Sequence, residues 1–168
     1  MTALQRYLLD SDVFIQAARQ YYAFDLVPAF WQALVDLASN GSLLSIDRVR
    51  DELEQGKDEL AEWADQTFRP LFASTNESDV LQIYGRIMQW AQAQPQYSAA
   101  AKAEFADVNN ADPWLVAYAL AKQYIVVTQE QPHPDSRRKI FIPDVCQAFG
   151  VPFTGSFAML RALGVRLG

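Results

Sequence analysis

Short, continuous apolar runs alternate along this chain with longer stretches whose apolar residues recur every three or four positions. The runs fall at residues 7–9, 43–45, 70–73, 124–127 and 140–142. Apolar runs this short, bounded by polar or turn residues, read as strands covered on both faces. The run Tyr124-Ile125-Val126-Val127 is the strongest, being β-branched and fully apolar. After the first run, Ser11 and Asp12 are suited to cap a helix extending to about residue 19. A second helix is expected over 29–39, with Phe30, Leu34 and Leu37 on one side and Asn40-Gly41 ending it. Ile46, Val49 and Leu53 mark the buried stripe of a helix over 47–55. Gly56 separates it from a helix over 59–68. A long amphipathic helix over 77–93 stops before Pro95. Residues 97–105 carry a weaker helical pattern. Asp112-Pro113 opens a helix that is apolar on all sides to Ala121, as a helix packed on a sheet would be. Pro143-Asp144 opens another toward Phe149, and 154–163 reads as a closing helix. Strands alternating with helices argue an α/β fold: a three-layer α/β/α sandwich on a short, mostly parallel sheet, in one domain over 1–168.

Composition narrows this picture. The chain has 168 residues, 51% apolar and 12% aromatic, enough for a sizeable core. It has no apolar run of about 18 residues, so no membrane span is expected. The first run begins at Tyr7, which leaves no room for a signal peptide ahead of it. Cys146, the one cysteine, excludes an internal disulfide. A cytoplasmic location is expected. The net charge of −6 weighs against a generic nucleic-acid binder, because phosphates need Lys and Arg. If four of the 20 acids serve as metal ligands, 16 remain against 14 bases, and the imbalance shrinks to −2.

The acids have a pattern of their own. In a parallel sheet all strands end along one edge, where ligands bind in open α/β folds. Asp10 and Asp12 follow the first run, and Thr128 and Glu130 follow the run ending at Val127. Asp144 follows the run 140–142. On the helix over 47–55, Asp51 points away from the buried stripe, while Glu52 and Glu54 flank it on either side. Asp112 starts a helix that leads into a strand, so spacing alone allows it either edge. Carboxylates gathered in one cleft repel each other and call for a counter-ion. Hard oxygen donors suit Mg²⁺ or Mn²⁺, and the absence of a His/Cys set argues against zinc.

Four segments also carry a resemblance. Leu8-Leu9-Asp10-Ser11-Asp12-Val13-Phe14-Ile15 resembles the opening motif of PIN domains. Val49-Arg50-Asp51-Glu52-Leu53, Ala111-Asp112-Pro113-Trp114-Leu115-Val116-Ala117 and Val126-Val127-Thr128-Gln129-Glu130 are similar to the second, third and fourth motifs, in that order. The likeness covers Tyr7 to about Val151. Lys139-Ile140-Phe141-Ile142-Pro143-Asp144-Val145-Cys146 further resembles an uncharacterised prokaryotic PIN-like branch. The resemblance implies a metal-dependent endoribonuclease, as in toxins of toxin–antitoxin pairs, hydrolysing RNA phosphodiesters with metal-activated water. It implies Asp10, Glu52, Asp112 and Glu130 as the catalytic acids, prefers Glu52 to Glu54, and makes Asp10, Asp112 and Glu130 the ligands of Mg²⁺ or Mn²⁺. Asp12, Thr128 and Asp144 would support the site, and Arg48, Arg138 and Lys139 would contact substrate. An RNA substrate, a protein antitoxin and a homodimer are the expected partners. The chain departs from the family at Glu130, where Asp is usual, at Asp12, where Asn is frequent, and in a longer segment 76–108. A PIN-fold binding module without activity and a metal-dependent phosphatase are the alternatives.

Each of these residues also has an ordinary structural role. Asp10, Asp112 and Asp144 can cap helices, Glu52 can be an exposed helix acid, and Thr128 can end a strand. Arg137-Arg138-Lys139 is the one basic run and can be a solvated loop. His133, flanked by prolines, is expected to be exposed, and Cys146 to sit in the core. Trp31, Trp63, Trp90 and Trp114 are expected to pack rather than to stack on bases.

Overall fold

The strand β1 (Tyr7–Leu9) runs through the middle of the sheet, and its three residues are almost fully buried, at 4%, 0% and 0% exposure. A strand covered on both faces needs a helical layer on each side. The protein is described here by a computed structural model covering residues 5–168. Along the chain β1 is followed by α1 (Ser11–Gln16), a π-helical turn (Ala17–Tyr21), α2 (Pro28–Ser39), β2 (Leu43–Ile46), α3 (Asp47–Glu54), α4 (Glu59–Gln66), a 3-10 turn (Arg69–Leu71) and β3 (Phe72–Ala73). Then come α5 (Ser78–Ala93), α6 (Ala99–Ala106), α7 (Asp112–Lys122), β4 (Ile125–Val127), α8 (Ile142–Phe149), β5 (Phe153–Thr154) and α9 (Ser156–Ala162).

The strand order is β3-β2-β1-β4-β5, and every pairing is parallel. Tyr7 and Leu8 align with Leu43 and Leu44 on one side, and Tyr7 to Leu9 align with Ile125 to Val127 on the other. The chain builds β1, β2 and β3 outward in one direction, then returns to lay β4 and β5 on the other flank. The reversal leaves a crevice between the carboxyl ends of β1 and β4, the place where such sheets take ligands.

Helix packing follows the stripes read from the sequence. On α3, Val49 and Leu53 are buried while Asp51 is exposed. An aromatic cluster fills the core on the α1–α4 side. Phe14 meets Phe68 edge-on at 5.7 Å, Trp63 stacks on Phe68 at 4.8 Å, and Phe24 stacks on Trp31 at 4.0 Å. Offset and edge-on pairs of this kind add to what area burial alone supplies. Trp31 and Trp114 are buried, and Cys146 is in the core as expected. Among the described residues no helix is long and apolar enough to cross a membrane.

Several sequence expectations are corrected. Residues 140–142 do not form a strand. Ile140 and Ile142 are buried, but Ile142 is already the first residue of α8, and its N–H is bonded to the Glu130 carboxylate at 2.8 Å. The fifth strand is Phe153–Thr154, whereas Thr154 is expected from the sequence to begin the closing helix. It pairs with Val126 and Val127, and the helix α9 begins only at Ser156. A two-residue strand held between Pro152 and Gly155 has too few positions to show a period. The cap of α1 is Asp10, not Ser11 or Asp12, and the α-helix ends at Gln16, where the π-helical turn takes over.

Candidate active site at the carboxyl edge of the sheet

Asp10 ends β1 and caps α1. Its Oδ1 accepts the Ser11 N–H at 2.7 Å, and its Oδ2 accepts the Thr128 hydroxyl at 2.9 Å. The backbone N–H of Asp10 still belongs to the sheet, donating to Val127 O at 2.9 Å. The carboxylate is therefore fixed at the junction of β1, α1 and β4, and only 4% of the residue is exposed. Thr128 ties a second carboxylate to the first, since its Oγ1 lies 3.2 Å from Asp12 Oδ2. The same oxygen also accepts the Glu130 N–H at 3.2 Å, and Asp12 Oδ2 accepts the Gln129 N–H at 3.0 Å. Asp12 Oδ1 is buried without any partner.

The other acids arrive from separate elements. Glu52 stands on α3 and lines the cleft, whereas Glu54 is turned to Arg50 and Arg69 at 4.0 and 3.5 Å. Asp112 is the first residue of α7, so that helix starts at the carboxyl edge. The cap position is held by Ala111, which has no capping side chain, and the Asp112 N–H is bonded to Asn110 Oδ1 at 2.9 Å in a local turn. Asp112 therefore stands one position past the cap that the Asp-Pro pair suggests for it. Glu130 follows β4. One of its oxygens caps α8 through Ile142 N–H, and the other is 3.3 Å from the Lys139 ammonium.

These side chains share one open cleft of about 570 Å³. Asp10, Asp12, Glu52, Asp112, Glu130 and Lys139 all line it. Glu104 on α6, Asp107 just after it, Gln55, Asn109 and Asn110 are also part of the wall. Sequence reasoning did not find Glu104 or Asp107. They lie in the segment with the faintest helical pattern, and a polar residue on an exposed helix carries no mark of the cleft it faces.

Three predicted residues stand elsewhere. Arg48 stacks over Trp114 at 4.2 Å and donates to Thr75 Oγ1 at 3.3 Å and Val108 O at 3.2 Å. It braces the loop before α7 rather than facing the cleft. Asp144 is buried and accepts the His133 N–H at 3.0 and 3.2 Å, which ties down the loop after β4. Arg138 is exposed on that loop and does not line the cleft. His133 is exposed, with its ring 4.4 Å from Phe141.

Burial and mutual repulsion dominate the electrostatics. Asp10 holds its proton well above the ordinary carboxylate range, first because it is desolvated and then because Asp12, Asp112 and Glu130 are close. Asp112 is raised to about 7 by burial and by Glu130. Asp12 is raised as well, chiefly by burial. Burial opposes the charge on Lys139, but Glu130 and Asp112 overcome it and hold the ammonium above its usual value. The Cys146 thiol is pushed up to about 12 by burial and the nearby acids, which leaves it without nucleophilic character at neutral pH.

The donor set fits a hard divalent cation. Its ligating atoms are carboxylate oxygens, the buried Asp12 Oδ1 is unspent, and the groups repel each other unless protonated or neutralised. As the side chains stand, no three His, Cys, Asp or Glu among the described residues are arranged to hold one ion.

The fold is similar to solved structures. VapBC2 from Rickettsia felis, bound to a DNA fragment from their promoter, gives a TM-score of 0.56 at 15% identity, over 90% of this chain and 98% of that one. FitAcB from Neisseria gonorrhoeae gives 0.53 at 20% identity, over 88% and 95% of the two chains. FitAB bound to an IR36 DNA fragment gives 0.53 at 18%, over 89% and 94%. At this identity the likeness establishes the fold, a parallel-sheet α/β sandwich of PIN-like type. No curated protein matches the chain. The family model described as "Domain of unknown function (DUF4411)" matches residues 7–167, and the chain belongs to that family.

Proposed function

We propose that the protein is a PIN-like nuclease that hydrolyses RNA with Mg²⁺ or Mn²⁺ as cofactor. One observation carries the reading: Asp10, Glu52, Asp112 and Glu130, from four separated segments, line one cleft at the switch point of a parallel sheet. A cluster with raised proton affinity in a cleft is how perturbed functional sites look. Asp10, Asp112 and Glu130 would hold the ion, with Asp12 Oδ1 as a further oxygen. The ion would supply activation of water and neutralisation of phosphoryl charge.

The protein's own residues do the rest. Thr128 fixes the Asp10 and Asp12 carboxylates relative to each other. Asn110 Oδ1 accepts the Asp112 N–H at the start of α7, and both residues line the cleft. Lys139, half exposed at the rim, carries the positive charge that a phosphodiester would meet. Arg137 and Arg138 extend that charge along the exposed loop. The similar solved structures are of VapBC2 and FitAB, each bound to DNA. Together with the motif resemblance they support a toxin role for this chain, with a protein antitoxin as partner.

A second reading, a PIN-fold binding module without activity, is favoured by the Glu130 carboxylate being spent on Lys139 and Ile142. Cleavage of a mixed single-stranded RNA pool with 5 mM Mn²⁺ as a rough starting condition separates the two. The wild type should cleave, and Asp10→Asn should lose at least about 10³-fold while keeping its fold, since Asn also caps helices. Cleavage that survives Asp10→Asn sinks the nuclease assignment. Hydrolysis of a small phosphomonoester in place of RNA would establish the phosphatase reading instead.

A further inference from the structure

Seven carboxylates line the cleft, from Asp10, Asp12, Glu52, Glu104, Asp107, Asp112 and Glu130, and the described lining holds a single cation, Lys139. Its ammonium is 3.3 Å from Glu130 Oε1 and 5.1 Å from the centre of the Phe141 ring, so it rests between an anion and an aromatic face. Resting on the metal-dependent reading above, we propose that Lys139 is a tethered counter-cation that controls metal entry. In the metal-free protein it holds Glu130, and it must leave Glu130 when a divalent ion binds.

The two partners differ in what they can do. Glu130 is held from three sides. Its Oε2 accepts the Ile142 N–H at 2.8 Å, its backbone N–H is bonded to Thr128 Oγ1 at 3.2 Å, and its side chain is only 16% exposed. The backbone that carries Lys139 is equally fixed. Its carbonyl accepts the Ser136 hydroxyl at 2.7 Å, Gln96 holds the carbonyls of Pro134 and Ser136, and Ser98 N–H donates to Arg137 O at 2.8 Å. The Lys139 side chain itself is 42% exposed. A flexible four-carbon stem on a rigid base moves its charge at little cost. The ammonium is thus the mobile half of the pair and the carboxylate the stationary half. The oxygen that Lys139 occupies, Glu130 Oε1, belongs to one of the carboxylates proposed above to hold the ion.

The test uses the full chain with Mn²⁺ alone as the probe. Isothermal titration compares the wild type with Lys139→Met, which keeps the stem and removes the charge. Lys139→Met should bind Mn²⁺ about tenfold more tightly, and Lys139→Arg should stay near the wild type. In parallel, the wild type is labelled briefly with acetic anhydride and read by mass spectrometry at Lys57, Lys102, Lys122 and Lys139. Saturating Mn²⁺ should raise labelling at Lys139 several-fold and leave the other three unchanged. Unchanged or weaker Mn²⁺ binding by Lys139→Met overturns the proposal, and so does Lys139 labelling that ignores Mn²⁺. Should Lys139→Met fail to fold, the labelling of the wild type still decides. If neither protein binds Mn²⁺, the metal-dependent function falls with it. If the wild type binds and Lys139 is indifferent, only the role of Lys139 falls.

Discussion

The two edges of the same sheet carry opposite chemistry. At the carboxyl edge, Asp10, Asp12, Asp112 and Glu130 meet the starts of α1, α7 and α8. At the amino edge, α7 and α8 end in left-handed caps at Gln123 and Gly150, and the surface there is largely apolar. The charge beside that surface is Arg6, which stacks on Tyr124 at 4.3 Å and donates to Lys122 O at the end of α7. Helix starts expose N–H groups and favour anions, and helix ends expose carbonyls and favour cations. Arg6 is matched to its edge, as one cation against one helix end. The acids are matched in sign to theirs but exceed what helix starts can balance, and burial first, then their mutual repulsion, raises the proton affinity of Asp10 and Asp112. A structural edge is neutralised within the fold. The carboxyl edge is left with charge that the fold does not balance.

The largest effect that sharpens this contrast is the response to pH. Carboxylates of the unfolded chain titrate near ~4, whereas Asp112 titrates at about 7 and Asp10 is also raised. The folded state therefore holds protons that the unfolded chain has already lost. These groups stabilise the fold at low pH, and the stabilisation drains away as pH rises from about 4 through about 7. Thermal melts should show a falling midpoint between pH 5 and 8, with Mn²⁺ restoring it at the upper end. A midpoint that rises across that range would break the contrast. Next in size are single changes at the two edges. Asp112→Asn should stabilise the protein at pH 8 by roughly 1–3 kcal/mol, by removing a buried and repelled charge. Arg6→Ala should destabilise it by about 1–2 kcal/mol, through the lost bond and stacking. Urea denaturation measures both, and equal signs would sink the comparison. The smallest effect separates two neighbours on α3. Glu54→Gln should cost no more than about 0.5 kcal/mol and leave RNA cleavage intact, because its ion pairs are partly exposed. Glu52→Gln should slow cleavage without lowering stability.

Much of this fold was legible from the chain. The runs at Tyr7–Leu9 and Ile125–Val127 became the central strands, and the stripe of Ile46, Val49 and Leu53 became the buried side of α3. Where local patterns were short they misled. Ile140 and Ile142 are buried without a ladder, and Phe153–Thr154 pairs without a pattern. Burial is common to strand, helix and coil, so an apolar triplet fixes exposure but not hydrogen-bond partners.

The amino-acid sequence by itself determined the alternation of strands and helices, the parallel sheet and the approximate set of acids at one edge. These follow from periodicity and from the rule that parallel strands end together. Only the tertiary structure decided which oxygens are spent. It put Ala111 rather than Asp112 at the cap of α7, turned Glu52 to the cleft and Glu54 to Arg50 and Arg69, set Asp144 under His133, and paired Glu130 with Lys139. It also brought Glu104 and Asp107 to the cleft from a segment the pattern left faint. Most of these contacts join residues on different elements over a few ångströms, and no local period records them.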